Sequence, residues 1–304
     1  MKVEVAVVGA PFVDITFEGL ERLPQVHEEL VARRVHVGPG GTGMQAIGAA
    51  RLGLDTALVA SVGDSGIDGA VRAMLENEGV KMAPPVQGGS TGEPTLPVTA
   101  LLSTPRGVAM ATGLNGDEPT AEEVAAVGAD AIVLSLGRHG LAPAGASVYA
   151  VTGGLELGNT DAGAFDDLRR ARALVVNESE ATTLTGQREA GHAALQLART
   201  IPTVVVTRGD RGAVAARGDR LVQVAAPSVE AVDATGAGDL FVPAFVWADK
   251  HGSDLETTLR WSCLYAGLSV RTATALSGAV RLRELLDEGL ARGLAPPEKV
   301  ARTD

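Results

Sequence analysis

The sequence predicts an α/β protein: a doubly wound, mainly parallel sheet with helices on both faces, plus a small β-sheet lid. Three observations carry this. Short uninterrupted apolar runs such as Val204-Val205-Val206 suit strands covered on both faces. From about residue 121 onward, such runs alternate with helical segments. Two stretches, about 14–37 and 92–112, alternate weakly with period two and read as half-exposed strands. The chain is therefore read as one domain over residues 1–304, with lid strands inserted at those two places.

Taken in order, Val3 to Val8 reads as a buried first strand. Asp14–Glu18 and Leu30–Val37 follow as half-exposed strands, and no helix fits between them. The glycine-rich turn Gly38 to Gly43 leads into a helix from about Met44 to Leu52, a strand from Thr56 to Val62 and a helix from Val71 to Glu78. Thr95–Ser103 and Val108–Thr112 form a second half-exposed pair, turned by Thr104-Pro105-Arg106-Gly107. Strands are then expected near Ala131–Leu136, Ser147–Val151, Leu174–Val176 and Thr203–Thr207. Helices are expected near Ala121–Val127, Phe165–Arg172, Glu178–Thr185 and Ala190–Ala198. Ala213–Ala216 and Leu221–Val224 read as a hairpin. Helices at Asp254–Arg271 and Arg281–Gly289 finish the chain, with a loose tail from Ala295-Pro296-Pro297.

Composition narrows the function. A formal net charge of −11 argues against nucleic acid as a partner, because such surfaces need clustered Lys and Arg. One cysteine, Cys263, excludes an intrachain disulfide and a multi-cysteine zinc site. The first apolar run is broken by Glu4 and ended by Gly9 and Pro11, so it reads as a strand rather than a signal peptide. No stretch approaches the ~20 apolar residues of a membrane span. A cytoplasmic protein that does not engage membranes is expected.

The stretch from Val232 to Asp239 organises the chemistry. Gly236 and Gly238 flank Ala237, and the apolar run Leu240 to Ala248 that follows is the pattern of a helix buried on every side. A helix start leaves about four N–H groups without partners, and the macrodipole places roughly half a positive charge there. That combination attracts phosphate oxygens. Asp239 sits in the same first turn, so a proton acceptor stands beside an anion hole. Read blandly, the glycines make an ordinary turn and Asp239 caps the helix.

Asp233-Ala234-Thr235-Gly236-Ala237-Gly238-Asp239 resembles the C-terminal signature of the ribokinase-type (pfkB-like) carbohydrate kinases. Gly40-Gly41-Thr42-Gly43-Met44-Gln45-Ala46 with Ala49-Ala50-Arg51-Leu52-Gly53 resembles their N-terminal signature, and Val62 to Gly69 matches the following segment loosely. The resemblance implies that Asp239 is the catalytic base and that the N–H groups of Gly236, Ala237 and Gly238 form the anion hole. It places the sugar on Asp14, Gly40, Gly41 and Gln45. It implies a nucleotide site at Asn177, Thr207, Gly209 and Gly238, Mg²⁺ held through water near Asn177 and Glu180, and K⁺ near Asp233. On the residues alone, Asn177 and Glu180 equally form a capping box.

Four residues depart from the family pattern: Gln45 where Asn is usual, Thr42 where ribokinases proper carry Lys, Gly137 where an acidic residue is expected, and Pro243 inside the central helix. These argue against ribose itself and leave phosphoryl transfer intact. The expectation is an ATP-dependent, Mg²⁺-requiring kinase acting on a sugar or sugar-like alcohol, working as a homodimer through the lid. Three alternatives stand beside it. A nucleoside kinase would stack its base on Phe12, Phe17 or Phe165. An NAD-dependent oxidoreductase would use Gly38-x-Gly40-x-x-Gly43, but the strand before it, with Arg33, Arg34 and His36, is too polar for that role. A catalytically silent sugar- or nucleotide-binding regulator would not need an intact Asp239.

Overall fold

The computed structural model describes residues 1–63, 66–83, 95–152 and 168–300. Among these, nine strands form the main sheet in the order β13-β12-β11-β10-β9-β8-β1-β4-β5. They are β1 (Lys2–Val8), β4 (Thr56–Val59), β5 (Lys81–Met82), β8 (Gly128–Ser135), β9 (Ser147–Val151), β10 (Ala173–Asn177), β11 (Val204–Thr207), β12 (Ala213–Arg217) and β13 (Arg220–Val224). All neighbours pair in parallel except β11–β12 and β12–β13, the expected hairpin edge.

The sheet is buried on both faces because successive residues point to opposite sides. In β1, Val5 and Val7 enter one core while Ala6 and Val8 enter the other. The first core is closed by α1 (Thr42–Arg51), α6 (Ala237–Lys250) and α7 (Leu255–Ser269). The second is closed by α3 (Ala121–Ala126), α4 (Glu178–Thr185) and α5 (Ala190–Leu197). The expected doubly wound sheet with helices on both faces is therefore present. The remaining helices are α2 (Gly66–Asn77), the one-turn α8 (Ala275–Gly278) and α9 (Leu282–Ala291).

A separate four-stranded sheet has the order β3-β2-β6-β7, from Arg34–Gly41, Pro11–Glu18, Val98–Thr104 and Gly107–Gly113. Its boundaries differ from the sequence reading. Residues 30–33 are not strand, and Gly38 to Gly41, read as a turn, form the end of β3. Pairing explains the change. Gly38 faces Asp14 and Gly40 faces Phe12 across the antiparallel β2–β3 ladder, and the ladder overrides the weak strand preference of glycine.

Other expectations shift for similar tertiary reasons. The tail from Ala295 is not loose through residue 300: Trp261 Nε1 donates to the Ala295 carbonyl at 3.1 Å, and Pro297 is buried. The strand β5 and the turn α8 carry too little periodicity to read from sequence. Asp64, Ser65, Phe165 and the start of the second lid insertion, at 92–94, lie outside the described residues, as do positions 165–167 of the helix expected at Phe165–Arg172. Of its described part, only Leu168–Arg170 form a short 3₁₀ turn, and Ala171 and Arg172 lead straight into β10.

Candidate active site

The site lies at the carboxyl ends of the parallel strands, where ligands bind in such folds. Gly9, Thr152, Asn177 and Thr207 all stand at those ends. The central element is α6, whose first turn follows Gly236 in the left-handed conformation, φ 81°. Glycine is required there, since an added side chain would also strike Ala275 Cβ at 2.8 Å.

The backbone of this turn corrects one detail. Ala237 N–H donates to the Ala234 carbonyl at 3.3 Å, so it is engaged, whereas the N–H groups of Gly236, Gly238 and Asp239 find no acceptor among the described residues. Three donors remain available: Gly236 and Gly238 stand as in the sequence reading, and Asp239 takes the place of Ala237. Pro243 lies inside α6 and supplies no N–H to the Asp239 carbonyl.

Helix α1 packs on α6 at a close crossing. A side chain at Gly48 would meet Pro243 Cγ at 2.8 Å and Leu240 Cδ2 at 2.9 Å, so glycine sets the approach. One turn earlier on α1, Gln45 faces one turn earlier on α6, Asp239. Gln45 Nε2 donates to Asp239 Oδ1 at 3.2 Å, and Gln45 Oε1 is buried without a donor from the described residues. Pro243, a departure from the family pattern, thus forms the packing surface that places another departure, Gln45, beside the carboxylate.

Asp14 approaches from the lid side. Its carboxylate lies flat on Gly40, where any Cβ would collide with both oxygens. Gly41 likewise takes the ring of Phe12 against its backbone at φ 53°. Asp14, Asp239 and Gly236 wall one cavity of about 340 Å³, together with Thr16, His36 and the segment 273–277. Burial, and then the charge of Asp239, push the Asp14 carboxyl up to about 7. Burial pushes Asp239 up to about 6, Gln45 opposes the rise, and the charge of Glu180 adds to it. The carboxylate charges thus act in pairs, Asp239 on Asp14 and Glu180 on Asp239.

Glu180 and Asn177 form the complete capping box at the start of α4. Asn177 Oδ1 accepts from Glu180 N at 2.9 Å, and Glu180 Oε2 accepts from Asn177 N at 2.8 Å. Thr152, which the sequence reading did not single out, also donates to Glu180 Oε2. Its second oxygen takes no donor from the described residues. Among the described residues no cluster of three His, Cys, Asp or Glu could hold a metal directly. Asn177 and Glu180 suit an ion that keeps its own water shell, as Mg²⁺ does.

Thr207 donates to the Val176 carbonyl at 3.4 Å, and Gly209 adopts φ 58° in the turn after β11. Arg211 pairs with Glu178, while Arg208 lies close enough to Cys263 to oppose the burial that pushes its thiol up to about 12. Asp233 Oδ1 accepts from Thr235 N at 2.8 Å. In the nearby 275–279 turn, Arg51 Nη1 donates to the carbonyls of Leu276 and Ala279 at 2.6 Å. Thr42 Oγ1 donates to the Gly9 carbonyl at 2.9 Å, and Gly137 lies in the exposed turn after β8.

The Gln45 contact carries a prediction. Were Asp239 a general base it would work only when ionised, and activity should then fall as pH drops through its pKa. Gln45→Leu removes the contact that holds that pKa down. The acid limb of the pH–rate profile should move to higher pH, with little change on the alkaline side. A limb that stays in place would show that Gln45 does not act on Asp239.

The chain is similar in sequence and fold to known proteins. Residues 161–279 match the family described as pfkB family carbohydrate kinase. The chain is 27% identical over 285 residues to a deoxyribokinase of Salmonella typhi, covering 88% of this chain and 92% of that one. It superposes on a putative ribokinase from Agrobacterium tumefaciens with TM-score 0.79 at 22% identity, covering 97% and 99% of the two chains. A ribokinase of Arabidopsis thaliana complexed with ribose and ATP gives TM-score 0.74 at 23% identity, over 94% and 98%.

Proposed function

We infer that this chain, a ribokinase-type (pfkB-like) carbohydrate kinase, transfers the terminal phosphoryl group of ATP to an alcohol group of a sugar or sugar-like molecule, with Asp239 as the base. The observation that carries this is the shared cavity walled by Asp14, Asp239 and Gly236, with N–H groups in the same turn as Asp239 that meet no acceptor among the described residues.

Asp14 accepts hydrogen bonds from the sugar hydroxyls against the bare backbone of Gly40 and Gly41, and Gln45 Oε1 offers a further acceptor. Asp239 takes the proton of the attacking hydroxyl. The N–H groups of Gly236, Gly238 and Asp239 stabilise the transferring phosphoryl oxygens. Thr207 and Gly209 line the nucleotide side. Asn177 and Glu180 would hold Mg²⁺ through its water shell, and the ion would supply neutralisation of phosphate charge. The small sheet closes over the cavity as a lid and excludes water, which suppresses ATP hydrolysis.

A coupled ADP-release screen over pentoses, hexoses, keto-deoxy acids and nucleosides, with ATP and Mg²⁺, tests this reading. Acceptor-dependent ADP release is expected from a sugar. Its absence across every class would favour the silent-regulator alternative.

Two further parts of the reading are proposals about assembly and ions. The lid leaves Val35, Val37, Met110 and Leu114 at 43–68% exposure, so a homodimer that pairs the two lids would cover them. A monomeric mass at high micromolar concentration would refute this. K⁺ near Asp233 is proposed to raise the rate; equal turnover in K⁺, Na⁺ and a bulky organic cation would remove it.

A further inference from the structure

Arg51 ends α1 and lies outside the cavity, yet its guanidinium is almost fully committed. Nε and Nη2 fork onto the two carboxylate oxygens of Glu78 at 2.9 and 2.5 Å, and Nη1 donates to both the Leu276 and Ala279 carbonyls at 2.6 Å. The Arg51 side chain is only 13% exposed, and Glu78 is held again by Arg281. Those two carbonyls belong to α8 and its exit, a single turn too short to hold its shape by its own hydrogen bonds.

This turn is a wedge between the two halves of the site. On one side Ala275 stands where a side chain of Gly236 would be, with 2.8 Å between the two Cβ positions. On another, Leu276 Cδ2 would lie 3.8 Å from a Cβ at Gly38, at the lid strand that carries Gly40. Behind, Gly278 packs so tightly on the Ser269 backbone that no side chain fits. The wedge cannot move without disturbing the turn that starts α6, and Arg51 ties it to α1, the helix that bears Gln45.

We propose that Arg51 is a positioning residue: by holding the 275–279 turn through two carbonyls, it fixes the phosphoryl-binding turn at Gly236 relative to the acceptor site on α1. The proposal rests on the reading of Gly236 to Asp239 as that phosphoryl-binding turn. A planar fork meets both carboxylate oxygens and two carbonyls at once, four bonds against the three donors of a lysine ammonium. Displacement of a catalytic turn by about 1 Å can cost ~100-fold in rate.

The test uses the full chain with Arg51→Ala, Arg51→Lys and Ala275→Gly, assayed on the best acceptor from the ADP-release screen. Both Arg51 variants should lose about 10- to 100-fold in kcat, with the KM for the acceptor within about twofold. Added guanidinium ion should restore part of the Arg51→Ala rate, whereas methylammonium and K⁺ should not. Ala275→Gly removes only the methyl against Gly236, leaves Arg51 in place, and should lower kcat by several-fold without responding to guanidinium. It carries the test if Arg51→Ala fails to fold. Native kcat in Arg51→Lys or Ala275→Gly, or no guanidinium rescue of a folded Arg51→Ala protein, overturns the proposal. If those variants are native while Asp239→Asn is inactive, only the role of Arg51 falls. If Asp239→Asn turns over normally, the underlying site reading falls instead.

Discussion

Asp239→Asn should fold normally, keep its affinity for nucleotide and lose ~10²- to 10⁴-fold in turnover, the usual contribution of a positioned acid–base group. The substitution is nearly isosteric, and the Asn oxygen can still accept from Gln45 Nε2. Asn is also a good residue near a helix start, and the Gly236 cap of α6 has no side-chain bond to lose. Nucleotide affinity should hold or rise, because a negative charge beside the phosphates disappears. Thermal stability should rise near neutral pH, since the folded chain holds Asp239 at about 6, above its ordinary value of 3.8. Such a group stabilises the fold below its unfolded pKa and loses that contribution as pH rises through the folded one. If Asp239 merely capped α6, the rate would hardly change. Melting temperature, nucleotide affinity and turnover measured on one preparation separate the two cases, and near-normal turnover would place the chemistry at another carboxylate.

Asp14→Asn should raise the KM for the sugar by about 10- to 150-fold, matching the roughly 1.5–3 kcal/mol of hydrogen bonds to a charged group. Nucleotide affinity should be unchanged, because Asp14 belongs to the lid side of the cavity. The free protein should again gain stability. Asp14 rises from 3.8 to about 7 in the fold, so its contribution is complete below pH 3.8 and is lost as pH climbs through about 7. The Asn variant should therefore show a flatter melting-temperature profile over that window than the parent chain. Gly40→Ala offers an independent check, since its methyl displaces the same carboxylate while leaving its charge. Loss of sugar affinity in Asp14→Asn but not in Gly40→Ala would mean that the apposition to Gly40 is unimportant. Both aspartates hold charge where the fold alone would exclude it, so the site costs stability for function.

Much of the architecture is local and was readable from the chain. The apolar runs at Val3–Val8, Leu174–Val176 and Val204–Val206 are strands because a sheet buried on both faces needs nothing else of its sequence. Gly236 and Asp239 at the start of a buried helix, and the Asn177/Glu180 capping box, lie within a few residues of each other, so spacing alone defines them. Family resemblance marked the same positions.

What could not be read there is which distant groups meet. Gln45 touches Asp239 across 194 residues because Gly48 lets α1 settle on Pro243, a matter of helix packing that no local pattern encodes. Asp14 lies on Gly40 because β2 and β3 pair in one register, and a shift of one residue would turn the carboxylate to the other face. The raised pKa values of Asp14 and Asp239 follow from burial and from a neighbouring carboxylate, Asp239 for the first and Glu180 for the second, which act only once both are enclosed. Arg51 reads as an ordinary helix-end arginine until the fold brings the carbonyls of Leu276 and Ala279 to it. Periodicity and capping act over a turn or two of chain, whereas side-chain contact depends on how whole elements cross, and that is decided only when the core packs.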